Sequence, residues 1–570
     1  MMFKRKIING ISVFLFTCFS AIFTISTHAA LSQGEPALVE SKDSSGMVVD
    51  AESSAPSFNQ LINALPSADY DEKSLLLSQL MQLEDERILS LFTLLLNGDL
   101  QYVKKSNAVV TVIKQEKLFL ATDYLTNELL GEFKKRKLKK IGINNNLRRE
   151  LKNYIAELQI FSKQVNIRHQ AALDLLKSAD QDSYGLLTKA IANEDDGSVL
   201  KILGTAKALV DLHNENEQVR IDALLSLERS LYPEVRVGLN AYLQRSQDAT
   251  LGYSQKEIEL ASKTLSQIEE LIQLNGLIEN IYFGIALGAV LLLAAIGLAI
   301  TFGVMGVINM AHGEMIMLGA YTTYVIQQLM PNHVGLSLVV AIPAAFLVSG
   351  LVGVLIERGV IRHLYGRPLE TLLATFGISL VLQQAVRSIF GPLNQDVVTP
   401  EWMAGTFSVN PGLDLTFNRL YIIIFSLLVL AGLALVLKKT LFGLQMRAVT
   451  MDRPMASSMG IKTGWVDALT FGLGSGIAGV AGVALSQLTN VGPNLGQAYI
   501  IDSFMVVVFG GVGNLWGTLV GAMSLGIANK VFEPMAGAVL AKILVLVAII
   551  LFIQKRPRGL FALKGRAVED

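Results

Sequence analysis

The sequence predicts an all-α protein in which a polytopic helical membrane domain of about 7–9 spans follows an exported stack of amphipathic helices. Three observations predict it. Residues 277–553 are built from long Leu/Val/Ile/Ala/Gly runs, and about 20 apolar residues suffice for a helix to cross ~30 Å of hydrocarbon. Residues 31–275 are rich in Lys, Arg, Asp and Glu, with apolar positions recurring as on one face of a helix. The chain opens with Lys4, Arg5 and Lys6 followed by an apolar stretch from Ile11 to Ile25, the layout of an export signal. The 48 basic and 48 acidic residues cancel, which gives no reason to expect nucleic acid as a partner.

The elements follow in order. Residues 1–30 read as a signal peptide, since Thr27-His28-Ala29-Ala30 offers small residues for cleavage; retention as a first membrane helix is the other reading. The single cysteine, Cys18, falls inside this stretch, so the mature chain has no disulfide and no thiolate chemistry. Residues 31–60, Ser-, Gly-, Pro- and acid-rich, read as a disordered lead-in. Over 61–275, Ile167-Arg-His-Gln-Ala171 and Val219-Arg-Ile-Asp-Ala223 align at an offset of 52 residues, with Leu187 matching Leu239 and Ile191 matching Leu243. A repeat of this size with an Ala/Leu face points to a HEAT-like α-solenoid.

Within 276–554, helices are expected near 281–304, 310–330, 336–357, 370–391, 419–437, 464–487, 514–531 and 536–553, with a short piece near 501–512. That piece is too short to span alone and reads as a half-helix or a re-entrant segment. Arg358, Arg362 and Arg367 mark one loop, Lys438, Lys439, Arg447, Arg453 and Lys462 a second, and Lys555, Arg556 and Arg558 the tail 555–570. The positive-inside rule places all three in the cytoplasm, with 31–275 on the other side.

The hydrophobic half is broken at Gly306-Val-Ile-Asn309-Met-Ala-His312-Gly-Glu314. An acidic residue at a helix centre costs roughly 2.5–3.5 kcal/mol on insertion scales, so such groups usually face a polar cavity or a partner. Two readings stand: a short cytoplasmic turn with His312 and Glu314 solvated, or the wall of a translocation pathway. No P-loop, nucleophile elbow, zinc-protease helix or Cys-x-x-Cys occurs, and the six histidines form no metal-ligand spacing. The chain therefore reads as a transport subunit and not an enzyme, with no cofactor and no metal.

Gly303 to Tyr321, Thr371-Leu-Leu-Ala-Thr-Phe-Gly-Ile-Ser-Leu380 and Gly510-Gly-Val-Gly-Asn-Leu-Trp-Gly-Thr-Leu-Val-Gly521 resemble the signatures of branched-chain amino acid-type permeases of ATP-binding-cassette importers. Asn490 to Gln497 and Tyr499 to Phe509 are most similar to the urea-importing members. The resemblance covers roughly 277–565. It implies a second permease subunit, two cytoplasmic ATPase subunits and an exported substrate-binding protein as partners in a bacterial cytoplasmic membrane. It also implies that the segment holding Gly443, Arg447, Asp452, Arg453, Ala456 and Gly460 docks on the ATPase, the arginines pairing with acidic groups and the small residues permitting close approach. Urea is small, planar and neutral, and a path for it needs hydrogen-bonding groups without net charge. The candidates are Asn309, Thr375, Gln383, Gln384 and Asn490, with His312 and Glu314 at the cytoplasmic side. A permease for branched-chain amino acids or short amides, and an ATP-independent urea channel, are the rival readings.

Overall fold

The computed structural model describes residues 56–561 except 84, 86, 116, 117 and 249–251. The expected signal 1–30, most of the lead-in and residues 562–570 lie outside the described residues. Helices α1 (Phe58–Ala64), α2 (Tyr70–Met81) and α3 (Arg87–Asn97) come first. Strands β1 (Leu100–Val103), β2 (Val109–Gln115), β3 (Leu118–Asp123), β4 (Leu129–Phe133) and β5 (Leu138–Lys140) follow. Then come α4 (Asn145–Ile160), α5 (Val165–Lys177), α6 (Tyr184–Asn193), α7 (Gly197–Asp211), α8 (Glu217–Ser226), α9 (Pro233–Arg245) and α10 (Gln255–Met305). The remainder is α11 (His312–Leu329), α12 (Val334–Gly359), α13 (Pro368–Phe390), the hairpin β6 (Thr406–Asn410) and β7 (Leu413–Thr416), α14 (Phe417–Lys439), α15 (Leu441–Met451), α16 (Arg453–Ser458), α17 (Thr463–Ser486), α18 (Leu495–Gly510), α19 (Leu515–Ala536) and α20 (Ala538–Lys555).

The described residues divide into two compact units, one of residues 56–85 together with Gln101–Ile141, the other of residues 86–100 with 142–561. In the first, α1 and α2 start on capping boxes, Ser57 with Gln60 and Asp69 with Glu72. Its sheet runs β4-β3-β2-β1-β5 and is a departure from the helical repeat expected over 61–275. The reason is local: Val109-Val-Thr-Val-Ile113 and Leu118-Phe-Leu-Ala-Thr122 are β-branched and aromatic runs. Asn107, between β1 and β2, and Asn127, between β3 and β4, take φ of 55° and 58° in the turns. Val103, Val110, Ala121 and Leu138 form a core.

In the second unit, α5, α6 and α7 share a core of Ala171, Leu175, Leu187 and Ile202, and α8 and α9 share one with the start of α10 through Leu224, Leu239, Tyr242 and Ile268. The 52-residue spacing has a physical counterpart. Arg168 Nε and Nη2 donate to Glu194 at 2.7 and 2.9 Å while Nη1 donates to the Ser162 carbonyl. Arg220 does the same with Glu257 at 2.7 and 3.1 Å and with the carbonyls of Asn214 and Glu215. One guanidinium thus satisfies both the end of the preceding turn and a carboxylate further along the chain.

Arg168 holds the Glu194 carboxyl below its ordinary range, aided by the backbone N–H groups of Asp196 and Asp195. A carboxylate depressed in the folded state contributes stability above its unfolded pKa, and that contribution is lost as pH falls through the folded value. Acidification from neutrality to below about 4.3 should therefore loosen this stack, and Glu194→Gln should flatten the dependence. Limited proteolysis of the full chain across that range checks it; a variant as acid-sensitive as the parent would refute the assignment to this pair.

The 51-residue helix α10, about 76 Å long at 1.5 Å per residue, begins against the helical stack and continues into the apolar half. There α10, α12, α13, α14, α17, α19 and α20 are long and apolar enough to cross a membrane; α11 with 18 residues and α18 with 16 lie among them. The short segment expected at 501–512 is α18, which starts six residues earlier, at Leu495. The apolar part of α10 and α17 from Thr470 onward are enclosed by the others, as suits helices apolar all round. Asn275 bonds Asn410 of the β6–β7 hairpin at 3.2 Å, and Tyr282 donates to the Thr416 carbonyl at 2.7 Å. These contacts tie α10 to the loop 392–418.

Candidate functional site

Helix α10 ends on Gly306 at φ 65°, whose N–H returns to the Phe302 carbonyl. The chain then runs back alongside α10 instead of leaving at its end. His312, opening α11, donates from Nε2 to the carbonyl of Ala294 at 2.8 Å. Ala294 lies eleven residues, about 16 Å, before the end of α10 at Met305. Asn309, His312 and Glu314 are 2%, 0% and 1% exposed. The solvated-turn reading is therefore excluded, and His312 and Glu314 sit within the helical bundle rather than at the end of α10. A polar segment at membrane depth is tolerated where protein encloses it.

A second helix start meets the first. A Cβ on Gly313 would lie 2.7 Å from the carbonyl oxygen of Gly496 in the first turn of α18, so α11 and α18 touch backbone to backbone where only glycine fits. Helix α13 joins the two starts with polar side chains four residues apart: Thr371, Thr375, Ser379, Gln383 and Arg387. Thr375 Oγ1 accepts from the Met310 N–H at 3.1 Å. Ser379 Oγ and Gln383 Nε2 both donate to Glu314 Oε1, at 2.9 and 2.7 Å. Arg387 Nη2 donates to Asn494 Oδ1, at the N-cap of α18, at 2.6 Å. The four-residue period keeps all five on one helix face, and the first four are buried.

Of the expected pathway residues, the fold brings together Asn309, His312, Glu314, Thr375 and Gln383. Gln384, one residue round the helix, is exposed, and Asn490 is exposed in the loop before α18. Thr371, Ser379, Arg387 and Asn494 were not anticipated; the i, i+4 polar period in an apolar helix was the signal for the first three. Asn309 Oδ1 accepts from the Ala311 N–H at 3.0 Å, while Asn309 Nδ2, His312 Nδ1 and Glu314 Oε2 have no partner among the described residues. Beside them, Leu298, Ile308, Asn309, Met310, Ile500, Ile501 and Phe504 line an apolar cavity of about 170 Å³.

The family described as "Branched-chain amino acid transport system / permease component" matches residues 280–553, a span that takes in this site and the helices around it. The high-affinity branched-chain amino acid transport system permease protein BraD of Pseudomonas aeruginosa is 30% identical over 294 residues, 50% of this chain and 95% of the relative. The corresponding LivH of Escherichia coli is 31% identical, over 50% of this chain and 94% of its own length. The chain belongs to the branched-chain amino acid-type permease family. A probable LivH of Methanocaldococcus jannaschii is 28% identical over 247 residues, 42% of this chain and 76% of its own length. No solved structure matches the chain significantly.

In this permease the segment 441–460 forms α15 and α16 between α14 and α17. Its two arginines make contacts within the chain and keep exposed surface, Arg447 being exposed and the Arg453 side chain 40% so. Arg453 pairs with Asp467 in the second turn of α17 and lies 4.6 Å from the Tyr365 ring centroid, and Arg447 donates to the Leu437 carbonyl. An arginine beside a buried carboxylate settles there because leaving that charge unpaired is costly. Asp452 caps α16 by accepting from the Met455 N–H at 2.8 Å. Gly443 packs on the Leu437 backbone, Ala456 is buried, and Gly460 ends α16 at φ 85°. Its outermost apolar residues are Leu441, Met451, Met455 and Met459, beside the exposed Gln445, Arg447 and Asp452.

Proposed function

We propose that this permease moves urea inward across a bacterial inner membrane as one of two permease subunits, energised by two separate ATPases and supplied by an exported binding protein. The observation that carries the reading is the Thr375–Ser379–Gln383 face set against the Met310 N–H, next to Asn309 in the chain, and against Glu314. It offers paired donors and acceptors suited to a planar solute with one carbonyl and four N–H groups. A site built from such groups rejects analogues that lack them, because its buried polar atoms are then left unpaired. The likeness of Asn490 to Phe509 to urea-importing members supports the same choice. The exposed methionines and leucine of α15 and α16 are the face proposed for the ATPases, since flexible Met-rich surfaces adapt to a partner's groove. Residues 61–275 are proposed as the exported domain and 276–554 as the permease domain.

A second reading is transport of branched-chain amino acids. The printed names of the relatives favour it, as does the apolar cavity beside Asn309, which would accept an aliphatic side chain. Uptake of labelled urea at micromolar concentration, with and without the gene, separates the two. Deletion should remove a component that needs ATP and ignores excess unlabelled leucine. Loss of leucine uptake instead would move the substrate to amino acids, and urea flux surviving ATP depletion would make the chain a channel.

A further inference from the structure

The break between α10 and α11 buries an acceptor and a donor, Glu314 Oε2 and Asn309 Nδ2, with no partner among the described residues. Both side chains are at least nine-tenths enclosed. Buried polar atoms without partners are rare in folded proteins, and each calls for an explanation. Glu314 Oε1, by contrast, is saturated, and both of its donors come from α13. The same helix covers the Met310 N–H.

Helix α13 is also the element best placed to move. It is bracketed by Gly366 at φ +80° and Gly391 at φ +91°, and few-residue pivots at the ends of an element are how rigid helices swing. The face opposite its polar stripe is exposed, with Leu369, Leu373 and Val381 outermost. Hydrogen bonds to α11 and to the segment before it therefore provide much of what holds it shut.

Resting on the transport reading above, we infer that Glu314 and Asn309 form the binding site for the transported solute, that α13 is its removable wall, and that the solute is small, neutral and rich in N–H groups, of the urea or amide class. When α13 withdraws, Glu314 loses the donors from Ser379 and Gln383, and its carboxylate can then accept from the solute's N–H groups. Asn309 Nδ2 donates to the solute's carbonyl. The amide class is matched because Asn309 Nδ2 and the Glu314 carboxyl offer a donor and acceptors for a carbonyl and N–H groups carried on one small molecule. At Glu314 the solute's N–H groups take the place of the two donors lost from α13, which makes the wall and the solute competitors for the same carboxylate.

The test uses Ser379→Cys in the full chain assembled with its partners in membranes, treated with a membrane-impermeant, charged thiol reagent. The parent chain, with Cys18 its one cysteine, supplies the background. Ser379 is buried in the closed state, so labelling at rest should be negligible. ATP should raise the rate about tenfold or more, as befits a minor open state, and saturating urea or acetamide should suppress that rise while leucine does not. Protection by acetamide without urea would support the site and remove the urea reading. Absence of ATP-dependent labelling, labelling equal at rest, indifference to all three solutes, or protection by leucine alone would each overturn the proposal. Thr375→Cys, on the same face, gives the answer should Ser379→Cys fail to accumulate.

Discussion

Arg220→Ala destabilises the helical stack by about 3–5 kcal/mol, the usual cost of removing one partner of a buried ion pair. The Glu257 side chain is wholly buried and that of Arg220 is 10% exposed. Truncation leaves the carboxylate with the Tyr242 hydroxyl at 3.2 Å and the Ser254 N–H at 2.8 Å. Burial pushes Tyr242 up to about 12, so it remains a donor at physiological pH, but two neutral donors do not offset a lost guanidinium. Two unit charges at 4 Å attract by about 4 kcal/mol at an effective dielectric of 20. The matching change Arg168→Ala costs less, because Glu194 keeps the N–H groups of Asp195 and Asp196 and Arg168 is more exposed. The double variant Arg220→Met with Glu257→Leu recovers much of the loss by removing the buried charge altogether. Thermal unfolding of the purified chain, followed by proteolysis of the helical stack, reads all three. An Arg220→Ala chain within about 1 kcal/mol of the parent would mean the pair behaves as a solvated surface bridge.

Gly319→Ala has the second large effect. A Cβ at Gly319 would lie 2.6 Å from Gly479 Cα in α17, whereas carbon atoms in contact rest about 3.5–4.0 Å apart. The strain cannot be absorbed by a rotamer, since the neighbour is backbone. Nor can α17 retreat: a Cβ on Gly479 would itself lie 2.6 Å from the Ala345 carbonyl of α12. Overpacking typically costs about 1–3 kcal/mol and occasionally more, and the upper end applies here. Because α11 also carries His312 and Glu314, displacing it pulls the carboxylate away from Ser379 and Gln383. The expected outcome is reduced accumulation in the membrane and no uptake by the protein that remains. Gly377→Ala in α13, which faces open space, should accumulate normally. Equal accumulation and uptake for Gly319→Ala and the parent would sink this packing account.

Much of this was legible from residue types alone. The break at Gly306–Glu314 stood out because a histidine and a carboxylate interrupt a hydrophobic run, and the insertion cost of charge makes such a pattern rare without a cause. The 52-residue repeat was visible because its arginines recur with the same Ala/Leu face. Other features were hidden. The sheet from 100 to 140 lay inside a charged, mainly helical region, where short β-branched runs compete with amphipathic helix patterns of similar composition. Gln384 and Asn490 were indistinguishable from Gln383 and Asn309 by residue type, yet one residue's rotation about a helix puts Gln384 on the outside. The partners that Arg447 and Arg453 find within the chain, the Leu437 carbonyl and Asp467, were not legible because they lie 10 and 14 residues away.

Hydrophobicity, charge asymmetry and repeat spacing are additive along a chain, and they sufficed for a polytopic helical membrane domain following a helical stack, with a polar break in its first membrane helix pair; that it is a permease rested on the resemblance of its motifs. They carry no information on which helices meet. That α11 and α18 begin against each other, that α13 lays Thr375, Ser379 and Gln383 on that junction, and that Glu314 keeps one oxygen without a partner among the described residues all depend on close packing between segments far apart in the chain, such as Gly313 and Gly496. Packing of that kind is set by the removal of single Cβ atoms at facing positions, and a glycine's partner is written nowhere near it in the chain.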